Sequence, residues 1–168
     1  IFTNKNRSLN FVYPHEKENP PATPHRFSRD VAELHLFDSS REKPFAIFLL
    51  THLKSQLDRD RIDPQGFERR RAELQTLIEI YHETLTKTGG LVPVIVCGDL
   101  NGNASRRSTD PEFLDLYQPD QGLRDVCELA SLPFENCATY FQISRSHKSE
   151  GKQIDFALLS PLAQKFLD

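Results

Sequence analysis

The segment that decides the fold runs from Leu91 to Asn103 and reads LVPVIVCGDLNGN. Its first half is apolar and does not alternate, which predicts a central strand buried on both faces. Gly98 then allows a sharp turn, and Asp99 and Asn101 follow where the strand reaches the surface. A carboxylate and an amide at the end of a rigid strand can orient a water molecule and bind an oxygen anion. The pattern is equally typical of a simple Asx turn, so its surroundings must decide.

The composition favours one soluble globular domain over the whole chain, residues 1–168. The chain has 168 residues, 38% of them hydrophobic, and a formal net charge of −3. This charge excludes a strongly basic surface, so any nucleic-acid contact must depend on a local patch. No apolar run reaches the roughly 18 residues of a membrane helix, so we expect no membrane span.

The two ends of the chain predict a piece of a longer polypeptide. The sequence starts with Ile1, contains no methionine and shows no signal peptide. It therefore assigns neither a localisation nor an oligomeric state.

The three cysteines, Cys97, Cys127 and Cys137, have no metal-ligand spacing and form no even disulfide framework. Cys97 lies in the apolar segment and is interpreted as a small core residue. A bridge between Cys127 and Cys137 stays open.

Three strands are predicted upstream of the deciding segment. Leu9–Tyr13 is the first, and residues 14–26 follow as a proline-rich, partly solvated loop. Phe27–Phe37 alternates, as a strand with one solvated face does. Phe45–Leu50 is apolar throughout, which predicts a second central strand with polar residues at its exit.

A long amphipathic helix is predicted between these strands and the deciding segment. Asp63 followed by Pro64 is typical of a helix start. The apolar residues from Phe67 onward form one stripe, and the charged residues, Glu73 among them, are assigned to the other faces. Gly89 ends the helix.

The last third of the chain predicts two short helical segments, Pro111–Tyr117 and Gly122–Leu129. Two strands follow, Ala138–Ile143 and Gln153–Leu159, joined by a hairpin-like connection. Asp155 interrupts the apolar run of the last strand. An acid in such a run needs a partner, which we expect to be a histidine or an arginine.

Four motifs, taken in order, resemble those of the endonuclease/exonuclease/phosphatase superfamily, the deoxyribonuclease I-like fold. They are FSRD at Phe27–Asp30, FAIFLLTHLKS at Phe45–Ser55, VIVCGDLNG at Val94–Gly102 and QIDFALLS at Gln153–Ser160. The resemblance implies an α/β protein of the α+β type. Its expected architecture is a four-layer sandwich of two packed mixed sheets with helices outside, incomplete at both ends.

The resemblance also implies a catalytic group that hydrolyses phosphoesters. Asp99 would orient or deprotonate the attacking water, and Asn101 would hold a non-bridging phosphate oxygen. His52 would donate a hydrogen bond to a phosphate oxygen as charge develops there. Asp155 would orient a catalytic histidine from elsewhere in the domain.

The resemblance further implies phosphate contacts and a metal ion. Arg29 would bind a substrate phosphate, and Lys54 would add positive potential. The expected cofactor is Mg²⁺, or Mn²⁺ or Ca²⁺, for which Asp99 and Asn101 are candidate ligands. The principal glutamate ligand, an early asparagine and a terminal Ser-Asp-His motif have no match in this chain. We therefore expect the chain alone to be inactive even if the full-length protein is an enzyme.

The expected substrate is a nucleic acid or another phosphodiester, hydrolysed by a nuclease or general phosphodiesterase. Inositol-phosphatase or other phosphomonoesterase activity, sphingomyelinase-like activity and a non-catalytic binding module remain alternatives. A basic groove is also predicted, formed by Arg29, Lys54, Arg106, Arg107, Arg145 and Lys148.

Overall fold

The computed structural model describes residues 1–40, 42–59, 61–141 and 151–167. The strands are β1 (Phe2–Lys5), β2 (Val31–Phe37), β3 (Pro44–His52), β4 (Val94–Asp99), β5 (Arg124–Asp125), β6 (Tyr140–Phe141), β7 (Gly151–Lys152) and β8 (Asp155–Leu159). The α-helices are α1 (Phe67–Thr88), α2 (Val126–Leu129) and α3 (Pro161–Gln164). Short 3-10 helices cover Pro14–Glu16, Pro64–Gly66, Pro111–Tyr117 and Phe134–Cys137.

The central feature is a mixed six-stranded sheet with the strand order β1-β2-β3-β4-β8-β5. β3 runs parallel to β4, and the other neighbouring pairs are antiparallel. The carboxyl ends of β3 and β4 therefore lie at one edge of the sheet, where β2 and β8 begin. This edge, which we call the site edge, collects polar residues from four chain segments.

The α+β class expected from the sequence is confirmed. The large sheet is mixed, as the resemblance implied. In the described residues, the second sheet is an antiparallel ribbon made of β6 and β7.

One face of the six-stranded sheet packs against α1. Ile47 of β3 and Val94 of β4 are fully buried and share a core with Leu74 and Leu77 of α1. Alternation along the strands points the intervening side chains to the other face. Leu50, on that second face, is 37% exposed.

The prediction that β3 and β4 are buried on both faces is therefore wrong for the described residues. Their apolar second face is only partly covered. α3 and the residues after it pack on one end of this face, beside Ile95 and Leu159. No helix in the described ranges combines the length and the apolar character needed to cross a bilayer.

The start of the long helix agrees with the predicted signal, displaced by three residues. A 3-10 turn occupies Pro64–Gly66, and α1 begins at Phe67. The buried carboxylate of Asp63 accepts hydrogen bonds from the backbone N–H groups of Glu68 and Arg69, at 2.9 and 3.0 Å. Asp63 thus caps the first turn of α1, as its residue type predicted.

The predicted first strand at Leu9–Tyr13 is wrong, because the edge strand is β1, several residues earlier. Leu9 is buried, but its backbone pairs locally, its N–H donating to the carbonyl oxygen of His25 at 2.7 Å. The apolar side chains of this segment therefore pack inward from irregular backbone. The proline-rich stretch 14–26 is a loop as predicted, with one 3-10 turn at its start.

Two predictions in the last third of the chain need correction. The predicted helical segment Gly122–Leu129 divides into β5, which pairs with the end of β8, and the short helix α2. The predicted strand Ala138–Ile143 is shorter and pairs with Gly151 and Lys152 as β6 and β7. Ile143 and the connection over residues 142–150 lie outside the described residues.

Gly98 allows β4 to approach β3 at the site edge. Its φ is +140°, and a Cβ atom there would lie 1.9 Å from the carbonyl oxygen of Thr51. We expect Gly98→Ala to lower the free energy of unfolding by about 3 kcal/mol or more, because backbone strain adds to the clash.

The matched control is Gly90→Ala, at a φ of +69° with no atom within 4 Å of the added Cβ. Strain alone should cost about 1 kcal/mol there. Urea denaturation of both variants measures the difference, and equal costs would contradict the proposed close approach.

Candidate active site

Three predicted site residues form a row across three neighbouring strands. His52 ends β3 and is paired in register with Asp99 at the end of β4, which is paired with Asp155 at the start of β8. The imidazole Nε2 of His52 lies 3.5 Å from Oδ2 of Asp99. The strand register therefore brings together three residues that are more than 40 positions apart in sequence.

Asn101 forms a tight turn directly after this row. Its φ is +55°, and its backbone N–H donates to Oδ1 of Asp99 at 2.7 Å. Its side-chain amide donates to the carbonyl oxygen of Leu53 at 2.9 Å. The Asx turn that the sequence left open is thus present, and it leaves Oδ2 of Asp99 directed toward His52.

The environment of Asp155 differs from the one predicted from the sequence. It is exposed, and its backbone N–H donates to the hydroxyl oxygen of Thr139 at 3.1 Å. Among the described residues, no histidine or arginine pairs with its carboxylate. The expected histidine or arginine partner of Asp155 therefore remains a prediction.

The two predicted phosphate-binding residues occupy different environments. Arg29 is exposed and lies just before β2, so the antiparallel pairing of β2 with β3 places it at the site edge. The ammonium of Lys54 instead donates to the backbone carbonyl oxygens of Ser55 and Leu57, at 3.2 and 2.6 Å. Within the described ranges, the side chain of Arg29 makes no such local contact, and the phosphate roles of both residues remain predictions.

The predicted basic groove is only partly described. Arg106 stacks on the ring of Tyr117 at 4.6 Å, and Arg107 donates to the carbonyl oxygen of Leu132 at 3.1 Å. Arg145 and Lys148 lie outside the described residues. Lys54, Arg106 and Arg107 each bind local groups, so a common phosphate groove remains a prediction.

A cleft of about 290 Å³ adjoins the row and the Asn101 turn. Its walls include Gly102 and Asn103 from the loop after β4, and Gln153 and Ile154 from the residues before Asp155. Gln56 also lines it and donates to the carbonyl oxygen of Asn101 at 3.2 Å. The cleft thus lies between the segments that follow Asn101 and precede Asp155, and the row residues themselves do not line it.

Glu73 is a functional candidate that the sequence pattern placed incorrectly. The amphipathic pattern predicts that Glu73 lies outside the apolar stripe of α1, yet it is fully buried. Its carboxylate accepts hydrogen bonds from Ser28 and from the backbone N–H of Lys54. Helical periodicity could not detect this, because the partners belong to loops whose position depends on the tertiary fold.

A second buried charge on α1 supports the turn after β4. The guanidinium of Arg70 is 2% exposed and binds the carboxylate of Glu112 in the 3-10 helix Pro111–Tyr117. It also donates to the carbonyl oxygens of Lys54 and Gln65, at 3.2 and 2.9 Å. An isolated charge is too costly to bury, so Arg70 and Glu112 stabilise each other. Through Arg70, the segment after β3 is joined to the 3-10 helix Pro111–Tyr117.

The described residues do not by themselves fit a divalent ion. Mg²⁺ and Ca²⁺ prefer several oxygen ligands, mostly from carboxylates. Oδ1 of Asp99 is occupied by the turn, Oδ2 faces His52, and no group of three metal-ligating side chains occurs in the described ranges. The Mg²⁺, Mn²⁺ or Ca²⁺ expectation therefore rests on the resemblance alone.

The cysteines are free thiols. Cys97 is half-buried and lies outside the buried core, so the prediction of a small core residue is wrong. Burial, together with the nearby Asp125 and Cys137, raises the pKa of Cys127 to about 11. The thiolate of Cys127 is therefore scarce near neutral pH.

The chain has the α+β fold of the endonuclease/exonuclease/phosphatase proteins. It is similar over 94% of its length to TDP2 from C. elegans, with 17% identity and a TM-score of 0.53. D. rerio TDP2 complexed with single strand DNA product matches 97% of the chain, with 13% identity and a TM-score of 0.51. An endonuclease/exonuclease/phosphatase from Beutenbergia cavernae matches 96%, with 14% identity and a TM-score of 0.53.

These likenesses confirm the fold that the four motifs predicted. The chain spans 41%, 63% and 38% of the three matched chains, less than two thirds of each. No family model and no curated protein matches the sequence.

The buried ion pair gives a stability prediction. Glu112→Gln removes the charge that compensates the guanidinium of Arg70, and we expect it to cost about 3 kcal/mol of unfolding free energy. Asp115→Asn, on the same 3-10 helix but less buried, should cost under about 0.5 kcal/mol. Thermal and urea unfolding compare the two, and a cost for Glu112→Gln no larger than the control would contradict the role of the pair.

The raised pKa of Cys127 gives a reactivity prediction. At pH 8, Cys127 should react with iodoacetamide about 100-fold more slowly than a free thiol of ordinary pKa. The rate should continue to rise up to about pH 11, because deprotonation follows the raised pKa. Peptide mass spectrometry of timed samples measures this, and a rate that levels off near pH 8.5 would show the opposite.

Proposed function

We propose that the row of His52, Asp99 and Asp155 forms part of a site that hydrolyses phosphate diesters. The observation that carries the proposal is the register of β3, β4 and β8, which aligns these side chains at one sheet edge. A cleft lined by Gly102 and Ile154, the sequence neighbours of Asn101 and Asp155, supports it as a space that a substrate could occupy near the row.

The geometry supports separate roles for the two central residues. Oδ1 of Asp99 is fixed by the Asn101 turn, so Oδ2 is the oxygen that accepts a proton from water. The oxygen of that water forms a bond to phosphorus, and the ester bond to the leaving alcohol breaks. The imidazole of His52, 42% exposed and next to Asp99, donates a hydrogen bond to a phosphate oxygen as its negative charge increases.

Asn101 and Asp155 complete the proposed arrangement. One N–H of the Asn101 side-chain amide donates to the carbonyl oxygen of Leu53. The second N–H would donate to a phosphate oxygen. Asp155 lies beside Asp99 and would raise the basicity of a histidine that approaches the row. Arg29 would neutralise a neighbouring phosphate at the same edge.

We propose that the full-length protein is a nuclease or general phosphodiesterase and that its activity depends on Mg²⁺. Single-stranded DNA is the first substrate to test, because the D. rerio TDP2 structure contains single strand DNA product. The row is consistent with any phosphodiester, so a small chromogenic diester is the second.

The test measures hydrolysis of bis(p-nitrophenyl) phosphate and of a labelled DNA strand by the full-length gene product, with Mg²⁺ or with EDTA. Asp99→Asn should lower kcat by about 100-fold or more, because it removes the proposed general base. Asp120→Asn is the matched control: Asp120 is exposed and lies near the carboxyl end of β8, at the opposite edge of the sheet.

Two outcomes would contradict the proposal. Hydrolysis that Asp99→Asn leaves unchanged would exclude the mechanism. DNA binding by a wild-type protein that hydrolyses neither substrate would instead support the alternative of a non-catalytic binding module.

A further inference from the structure

The backbone of Lys54 is held from both sides by side chains of α1. Its N–H donates to Oε2 of Glu73 at 2.6 Å, and its carbonyl oxygen accepts from the guanidinium of Arg70 at 3.2 Å. Glu73 and Arg70 are three residues apart and therefore lie on one side of the helix. Lys54 follows His52 by two positions, so this contact fixes the chain directly after β3.

The same carboxylate also binds the segment before β2. Oε1 of Glu73 accepts hydrogen bonds from both the backbone N–H and the hydroxyl of Ser28, each at 2.6 Å. Arg69 on α1 donates to the carbonyl oxygen of Arg26 at 2.7 Å. Each oxygen of Glu73 thus holds a different chain segment.

The residue type at position 73 is informative because of its burial. Glu73 has no solvent exposure, and a carboxylate in that position is costly unless its oxygens are fully hydrogen-bonded. An apolar residue at this buried position would leave the N–H groups of Ser28 and Lys54 without an acceptor. The carboxylate therefore sets where these two loops lie.

Both loops carry proposed site residues. Ser28 precedes Arg29, and Lys54 follows Leu53, whose N–H donates to the carbonyl oxygen of Asp99 at 2.9 Å. The Leu53 carbonyl oxygen in turn accepts from the amide of Asn101. A displacement of Lys54 would therefore be transmitted to Asp99 and Asn101 through Leu53.

We propose that Glu73 is a positioning residue of the phosphoester site. Its buried carboxylate fixes the end of β3, which carries His52, relative to the start of β2, which carries Arg29. This inference rests on the proposed function, and it assigns the role to a residue that does not contact the substrate.

The kinetic test compares Glu73→Ala and Glu73→Gln with the control Glu79→Gln, an exposed glutamate on the same helix. Assays use a temperature at which circular dichroism shows every variant folded. Glu73→Ala should lower kcat about 10-fold with a smaller change in KM, because the reacting groups lose alignment. Glu73→Gln should recover most of this loss, since its amide oxygen still accepts one of the two anchors.

A double-mutant cycle separates positioning from stability. In a His52→Ala background, the loss caused by Glu73→Ala should be clearly smaller than in the wild type, because one of the groups that Glu73 positions is absent. A loss of the same size in both backgrounds, or one that follows only the folded fraction, would overturn the proposal.

A second measurement does not depend on activity. In NMR spectra, Glu73→Ala should shift the His52 imidazole resonances and accelerate amide exchange at Lys54 by about 10-fold or more, whereas Glu79→Ala should do neither. Unchanged resonances and exchange would overturn the positioning role. If the wild type hydrolyses no substrate, the proposed function fails, and the NMR comparison still decides the role of Glu73.

Discussion

The parallel pairing of β3 with β4 is the constraint on which the rest of the structure depends. It brings the chain after two apolar strands to the same edge, in a register that places His52 beside Asp99. Neighbouring strands lie about 4.8 Å apart, which is close enough for polar side chains from adjacent strand ends to act together. The long helix α1 makes this pairing feasible, because parallel strands require a crossover of a dozen or more residues between them. The site therefore follows from the topology of the sheet.

The sequence patterns that predicted secondary structure correctly were those whose cause lies in neighbouring residues of the chain. The apolar runs around Ile47 and Val96 located the two central strands, and the pair Asp63-Pro64 located the start of the long helix. Residues Pro111–Tyr117 were predicted as a short helix and form a 3-10 helix with the same bounds. In each case the signal lies in neighbouring residues and does not need knowledge of distant partners.

The patterns that failed needed information from distant parts of the chain. Leu9 is buried as a strand residue would be, but it packs from a loop that closes on His25. Glu73 is polar at a position where periodicity assigns solvent, because its hydrogen-bond donors come from the segments around Ser28 and Lys54. Asp155 was expected to be paired because its strand is apolar, and it is exposed because burial depends on what covers the sheet. The residues of the row were predicted through ordered motifs, whereas the side chains that hold them in place were not.

The row and the apolar second face of the sheet lie on the same side. Strand alternation directs His52 the same way as Leu50, and Asp99 the same way as Cys97. Any layer that packs on this face would therefore also form a wall next to the carboxylates of Asp99 and Asp155. Excluding water there would lower the local dielectric constant and strengthen the attraction between the imidazole and the carboxylates. The same layer would then both cover the apolar second face of the sheet and determine how strongly the charged groups of the row interact.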